Sequence, residues 1–191
     1  MNTEASRGKP DPWVQKYAAL VPQGPVLDLA CGKGRNGRYF LELGYSVTFI
    51  DKDISAAEDL LLQDKSPYNN SPDNNSARNN ANTQLIKHDL ENNSPWPFHS
   101  DQFSGIVVTN YLYRPLLPQL ITTLKPCGII IYKTFAVGNE QFGKPKNPEF
   151  LLQENELRKT FNKQFREIAF FQGREMNPDR ITQAICVQRI A

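Results

Sequence analysis

Three carboxylates and three glycines are the residues of this chain whose types and spacing can do chemistry together. Asp28 interrupts the apolar run VLDLA, Asp51 ends YSVTFID and Asp89 ends TQLIKHD, while Gly32, Gly34 and Gly37 follow the first acid in VLDLACGKGRNGRYF at 26–40. A carboxylate inside an apolar run is costly to bury unless something pairs with it. Glycines remove Cβ atoms where a backbone must turn tightly or admit a ligand. From Arg35 onward Tyr39, Phe40 and Leu43 recur at helical spacing. The glycine loop therefore feeds a helix N-terminus, whose free N–H groups bind an electron-rich ligand. The expected ligand is nucleotide-like.

Two such ligands fit the pattern. Gly32, Gly34 and Gly37 satisfy GxGxxG, and Asp51 lies seventeen residues after Gly34, near the separation at which a dinucleotide site places its ribose carboxylate. An NAD(P)-dependent reductase is therefore one reading. Asp28, four residues before Gly32, argues the other way, because an anion behind the loop repels a pyrophosphate. S-adenosylmethionine has no phosphate and carries a sulfonium and an ammonium. Its ribose diol can be chelated by Asp51, and Asp89 can accept from its adenine amino group. Three acids at three strand ends suit that cation better.

Displacement at a methylsulfonium loses charge, so it needs positioning and exclusion of water more than acid–base catalysis. No catalytic triad or metal site is expected. A base helps only where the attacking atom bears a proton, and the catalytic candidates are Tyr113, Arg114 and Glu140, with His88 and His99 as further titratable groups. Tyr113 and Arg114 follow one strand, and Asn139, Glu140, Lys144 and Asn147 follow the next. Two loops are thus expected to converge over a pocket for a small polar or anionic acceptor. Cys31 reads as a small packing residue and Trp13 as a packing aromatic.

Strands and helices must carry these groups. Residues 1–11 are polar and expected to be flexible, and 12–191 form a single domain. Helical spacing starts at Pro12, Arg35 and Ile54, recurs over 114–124 and again in LLQENELRKTF. Strand patterns fall on VLDL, YSVTFIDKD, TQLIKHDL, SGIVVTNYL, GIIIYKTF, QFREIAFF and ITQAICVQRI. An Asn-rich insertion at about 66–82 cannot bury a core; half of residues 69–82 are asparagine. The pattern predicts an α/β, Rossmann-like fold: a seven-stranded, mostly parallel sheet with a C-terminal antiparallel hairpin and helices on both faces. Ligands of such sheets bind at the carboxyl ends of the strands.

Composition narrows the function classes. The 191 residues suit one core, and 22 basic against 20 acidic residues give no dedicated nucleic-acid surface. Three scattered cysteines without a CxxC argue against a disulfide framework or zinc site and fit a reducing cytoplasm. The first twenty residues have neither the apolar core of a signal peptide nor that of a membrane anchor. Oligomeric state leaves no mark on the sequence.

LDLACGKGRNG, VTFIDKD and IKHDLENNSPWPF resemble the first three motifs of the class I S-adenosylmethionine-dependent methyltransferases, and the resemblance covers nearly the whole chain. Within that class the sequence is most similar to small bacterial enzymes akin to the tellurite-resistance and thiopurine-type methyltransferases. The resemblance implies that Gly32 and Gly34 line the methionine part, that Asp51 holds the ribose and that Asp89 with Leu90 borders the adenine. It places the stem of Lys52 beside the adenine and Asn110 near the methionine ammonium and the acceptor. The implied cofactor set is completed by Asp28, Ala30, Arg35 and Asn36. Ala30 stands where the broader class often has glycine, and the Asn-rich insertion has no counterpart in the class. The expected activity is methyl transfer to a small-molecule acceptor. Three alternatives stay open: a non-catalytic cofactor-binding module, a methyltransferase acting on protein or nucleic acid, and the NAD(P)-dependent reductase.

Overall fold

The computed structural model describes residues 8–63, 79–80 and 82–191. Its strands are β1 (Pro25–Leu29), β2 (Ser46–Asp51), β3 (Asn79–Asn80), β4 (Thr83–Lys87), β5 (Phe103–Thr109), β6 (Leu124–Phe135), β7 (Phe165–Glu175) and β8 (Arg180–Arg189). They form one sheet in the order β3-β4-β2-β1-β5-β6-β8-β7. Strands β4, β2, β1, β5 and β6 are mutually parallel, and β8 runs antiparallel between β6 and β7. The seven expected strands and the terminal hairpin are all present. The addition is two-residue β3, antiparallel to β4, which is the described part of the strand-free insertion expected at 66–82. The remainder of that insertion up to residue 78, and residue 81, lie outside the described residues, as do residues 1–7 of the expected flexible terminus.

Among the described residues five short α-helices cover the sheet: α1 (Pro12–Tyr17), α2 (Arg35–Glu42), α3 (Ser55–Gln63), α4 (Leu117–Thr123) and α5 (Glu156–Thr160). Alternation along the strands divides the core into two layers. On one face Val26, Val47, Phe49, Val107 and Ile131 meet Val14 of α1, Phe40 of α2 and Ala57 of α3. On the other, Leu27, Leu29, Ile106, Val108 and Ile130 meet Leu120 of α4 and Leu157 of α5. Near-continuous apolar strands are what burial on both faces requires.

Two local expectations are corrected. Asp11, placed at the end of the flexible terminus, is 2 % exposed; it caps α1 by accepting from Trp13 N at 2.8 Å and pairs with Lys133 Nζ at 3.3 Å. LLQENELRKTF is helical only from Glu156, because Leu152 bridges to Ala136 and Asn155 takes a left-handed φ of 56°. The Glu156 carboxylate accepts from Gln153 N at 2.7 Å, which fixes the helix start there.

Candidate active site

The glycine loop leaves β1 through Ala30, whose φ of 51° already turns the chain out of the sheet. Gly34, at φ 71°, caps α2 without a side chain. A Cβ at Gly37 would lie 2.2 Å from the Phe49 ring and 2.9 Å from Asp28 Oδ2, so only glycine lets α2 lie this close to β1 and β2. In the space so opened, Gly37 N donates to Asp28 Oδ2 at 2.8 Å. The helix end that could seat a phosphate therefore already holds the protein's own carboxylate. Burial pushes the Asp28 carboxyl up to about 7; the Gly37 N–H and the Arg35 charge oppose the rise, and the Asp51 charge adds to it.

Asp51 reinforces this reversal of polarity. Its Oδ2 accepts from Gly32 N at 2.8 Å, so a second loop N–H that a pyrophosphate would need is engaged by an acid. Its Oδ1 accepts from Asp53 N at 3.1 Å. Beyond Asp51 opens a cleft of about 270 Å³ lined by Ala30, Asp51, Lys52, Asp89, Leu90, Glu91, Asn110 and Tyr111. These are the carboxyl ends of β1, β2, β4 and β5, on both sides of the place where the strand order reverses. Asp89 is exposed there and its Oδ1 accepts from Glu91 N at 2.9 Å, while Leu90 supplies a buried apolar floor. Acids beside a glycine-rich loop suit a cationic nucleoside such as S-adenosylmethionine. They oppose a dinucleotide pyrophosphate.

A second cavity of about 580 Å³ adjoins the first, and Glu91, Asn110 and Tyr111 line both. Asn110 sits at a left-handed φ of 56° and is held there by its N–H donating to Lys133 O at 2.9 Å. The Tyr111 hydroxyl is buried without a well-formed hydrogen bond among the described residues. Burial, and then the nearby Glu91 carboxylate, push this phenol upward, so it stays protonated at neutral pH. The outer wall is built by Leu112, Thr134, Phe135, Lys144, Pro145, Lys146, Asn147 and Phe150.

Of the expected cofactor residues, Ala30, Asp51, Lys52, Asp89, Leu90 and Asn110 line the first cleft. Gly32 and Gly34 form the loop beside it, and Asp28 lies buried behind that loop. Arg35 and Asn36 are engaged elsewhere. Arg35 reaches Lys9 O at 3.5 Å and Asp11 at 4.0 Å, and Asn36 donates to Thr109 Oγ1 at 2.9 Å and accepts from Asp11 N at 2.9 Å.

The three catalytic candidates line neither cavity. Tyr113 is partly buried and packs against the core. Arg114 forks onto Glu156, with Nε–Oε1 at 2.7 Å and Nη2–Oε2 at 3.0 Å, and donates to Glu149 O and Leu151 O at 2.7 and 3.0 Å. Glu140 folds back to accept from Gly138 N at 2.8 Å. Glu91, Tyr111 and the aromatics Phe135 and Phe150 take those places instead. Their only signal in the sequence is position, within or next to loops that follow strand ends.

Comparison with known proteins agrees with this fold. The sequence model described as tellurite resistance protein TehB matches residues 11–173. The chain belongs to the TehB family. A search among curated proteins gave no match. Among solved structures, this TehB-family chain resembles a SAM-dependent methyltransferase from Methanosarcina mazei, with TM-score 0.68, 17 % identity, and coverage of 96 % of this chain and 99 % of that one. The Burkholderia thailandensis 1,6-didemethyltoxoflavin-N1-methyltransferase, solved with 1,6-didemethyltoxoflavin and S-adenosylhomocysteine, superposes with TM-score 0.66 at 15 % identity, covering 100 % and 82 %. TehB from Haemophilus influenzae gives TM-score 0.65 at 22 % identity, covering 93 % and 61 %. The fold is that of the S-adenosylmethionine-dependent methyltransferases. No helix among the described residues is long and apolar enough to cross a membrane.

Proposed function

We propose that the protein is a cytoplasmic enzyme that transfers a methyl group from S-adenosylmethionine to a small-molecule acceptor. The observation that carries this reading is the shared wall: Glu91, Asn110 and Tyr111 separate a nucleoside-sized cleft from a second cavity large enough for another small molecule. The Burkholderia enzyme of the same fold binds a small molecule and S-adenosylhomocysteine together, which supports two adjoining subsites. The family's description adds tellurite to the acceptors worth assaying.

When bound, S-adenosylmethionine supplies an electrophilic methyl: the acceptor's lone pair forms the new bond while the carbon–sulfur pair stays on sulfur. The chain's own residues position and exclude water. Asp51 holds the ribose hydroxyls, Asp89 and Leu90 border the adenine, and the Asp51 carboxylate beside the glycine loop favours a cationic ligand. Asn110 aligns the cofactor's methionine end. Tyr111 offers a protonated hydroxyl at the junction, and Glu91 accepts a proton where the attacking atom carries one.

Calorimetric titration separates the leading classes. S-adenosylhomocysteine binds and NAD does not; the reverse result overturns the proposal. Labelled methyl donor incubated with a panel of small acceptors then distinguishes enzyme from binding module, since the enzyme labels at least one acceptor.

A further inference from the structure

The second cavity carries chemistry of its own. Its volume, about 580 Å³, falls in the range of organic-ligand sites. A water's share of liquid is about 30 Å³, so a bare oxyanion of a few atoms fills only a small part of such a space. The aromatic side chains of Tyr111, Phe135 and Phe150 line it, with Leu112 and Pro145, and Phe150 is 44 % exposed. Aromatic walls give nothing to a fully hydrated inorganic anion and offer stacking surface to a flat apolar body.

Charge sets the other end of the ligand. Lys144 and Lys146 stand on the same wall, and neither ammonium has an ion-pair partner among the described residues. Glu91 is the acid that lines the cavity, and it lies beside Tyr111 at the junction with the cofactor cleft. The cavity is thus polarised: an acid at its junction with the cofactor cleft, a pair of cations that line this cavity and not the cleft, and aromatic surface on its walls. Resting on the methyltransferase reading, we infer that the acceptor is an organic anion with a flat apolar body. Its acidic group faces Lys144 and Lys146, and its nucleophilic atom faces Tyr111 and Glu91. A proton on that atom passes to the Glu91 carboxylate as the acceptor's lone pair takes the methyl group and the former carbon–sulfur pair remains on the thioether.

The test is equilibrium binding to the full chain saturated with S-adenosylhomocysteine. The probes are 2-naphthoate, its neutral counterpart 2-naphthamide, and inorganic phosphate and sulfate. The acid binds about tenfold more tightly than the amide, and the two inorganic anions bind more weakly still. In the Lys144→Gln/Lys146→Gln double variant the acid loses that advantage while S-adenosylhomocysteine affinity is unchanged. In Phe150→Ala both naphthalene probes weaken several-fold. Equal affinity for acid and amide, phosphate binding as tightly as naphthoate, or no naphthoate binding while S-adenosylhomocysteine still binds overturns the inference and leaves the methyltransferase reading standing. Failure of S-adenosylhomocysteine itself to bind overturns that reading instead.

Discussion

Asp28 and Asp51 use similar carboxylates in opposite surroundings. Asp28 is 2 % exposed, and burial lifts its carboxyl from an ordinary 3.8 to about 7. A raised folded value means that the protonated form is favoured in the native state. The resulting stability is full below about pH 4 and is lost as pH rises through about 7. Chemical denaturation across that window should therefore show the native protein losing stability relative to Asp28→Asn; a difference independent of pH would refute the assignment. Asp51 is half-buried and engages Gly32 and Asp53 through backbone N–H groups. Asp51→Ala should weaken S-adenosylhomocysteine binding by roughly 1.5–3 kcal/mol, the worth of a charge-assisted hydrogen bond. Calorimetry on the folded variant checks this, and unchanged affinity rejects the ribose role. Both acids were legible in the sequence because Asp28 interrupts one apolar strand pattern and Asp51 ends another. Tyr111 and Glu91 were not: the pattern SGIVVTNYL runs through Tyr111 although β5 ends at Thr109, and the roles of both residues depend on how two cavities meet.

At the scale of elements, two contacts hold the site in shape. The approach of α2 to β1 and β2 depends on Gly37, where an added Cβ would strike Phe49 and crowd Asp28. Gly37→Ala should cost about 1–3 kcal/mol, the usual penalty of overfilling a packed core, and should weaken cofactor binding as α2 moves. A denaturation midpoint unchanged from wild type would show that α2 has room. Arg114 ties the segment after β5 to the chain between residues 149 and 156, which continues the wall of the outer cavity. The sequence places it correctly after a strand end, but a side chain's target across 42 residues is invisible to local patterns. Arg114→Ala should raise the acceptor KM while S-adenosylhomocysteine affinity stays near wild type; steady-state kinetics and titration on the same preparation read the two effects separately. An equal loss of cofactor binding would show that these Arg114 contacts also hold the first cleft in shape.

For the whole molecule, strand order decides which changes reach the site. The alternation of strands and helices made the parallel sheet, its terminal hairpin and its two covered faces legible, because apolar spacing and glycine or proline breaks record burial directly. The Asn-rich stretch is the part that composition alone could place but not explain. The topology supplies a reason why it is tolerated. β2 ends at Asp51 beside the cofactor cleft, and α3 carries the chain back towards the other end of the sheet, where Asn82 O accepts from Val47 N and β4 begins. β4 then runs five residues, about 17 Å at strand rise, before Asp89 and Leu90 return to the cleft. The described part of the insertion, β3 and Asn82, thus meets β4 at its first residues, the end of the strand opposite the cofactor cleft. Lengthening such a link costs only about 0.6 kcal/mol per doubling. Replacing residues 66–78 by a short Gly/Ser link should leave S-adenosylhomocysteine affinity within twofold of wild type and stability within about 1 kcal/mol, measured by calorimetry and denaturation. A larger loss of affinity with the fold intact would show that the insertion reaches the cleft after all.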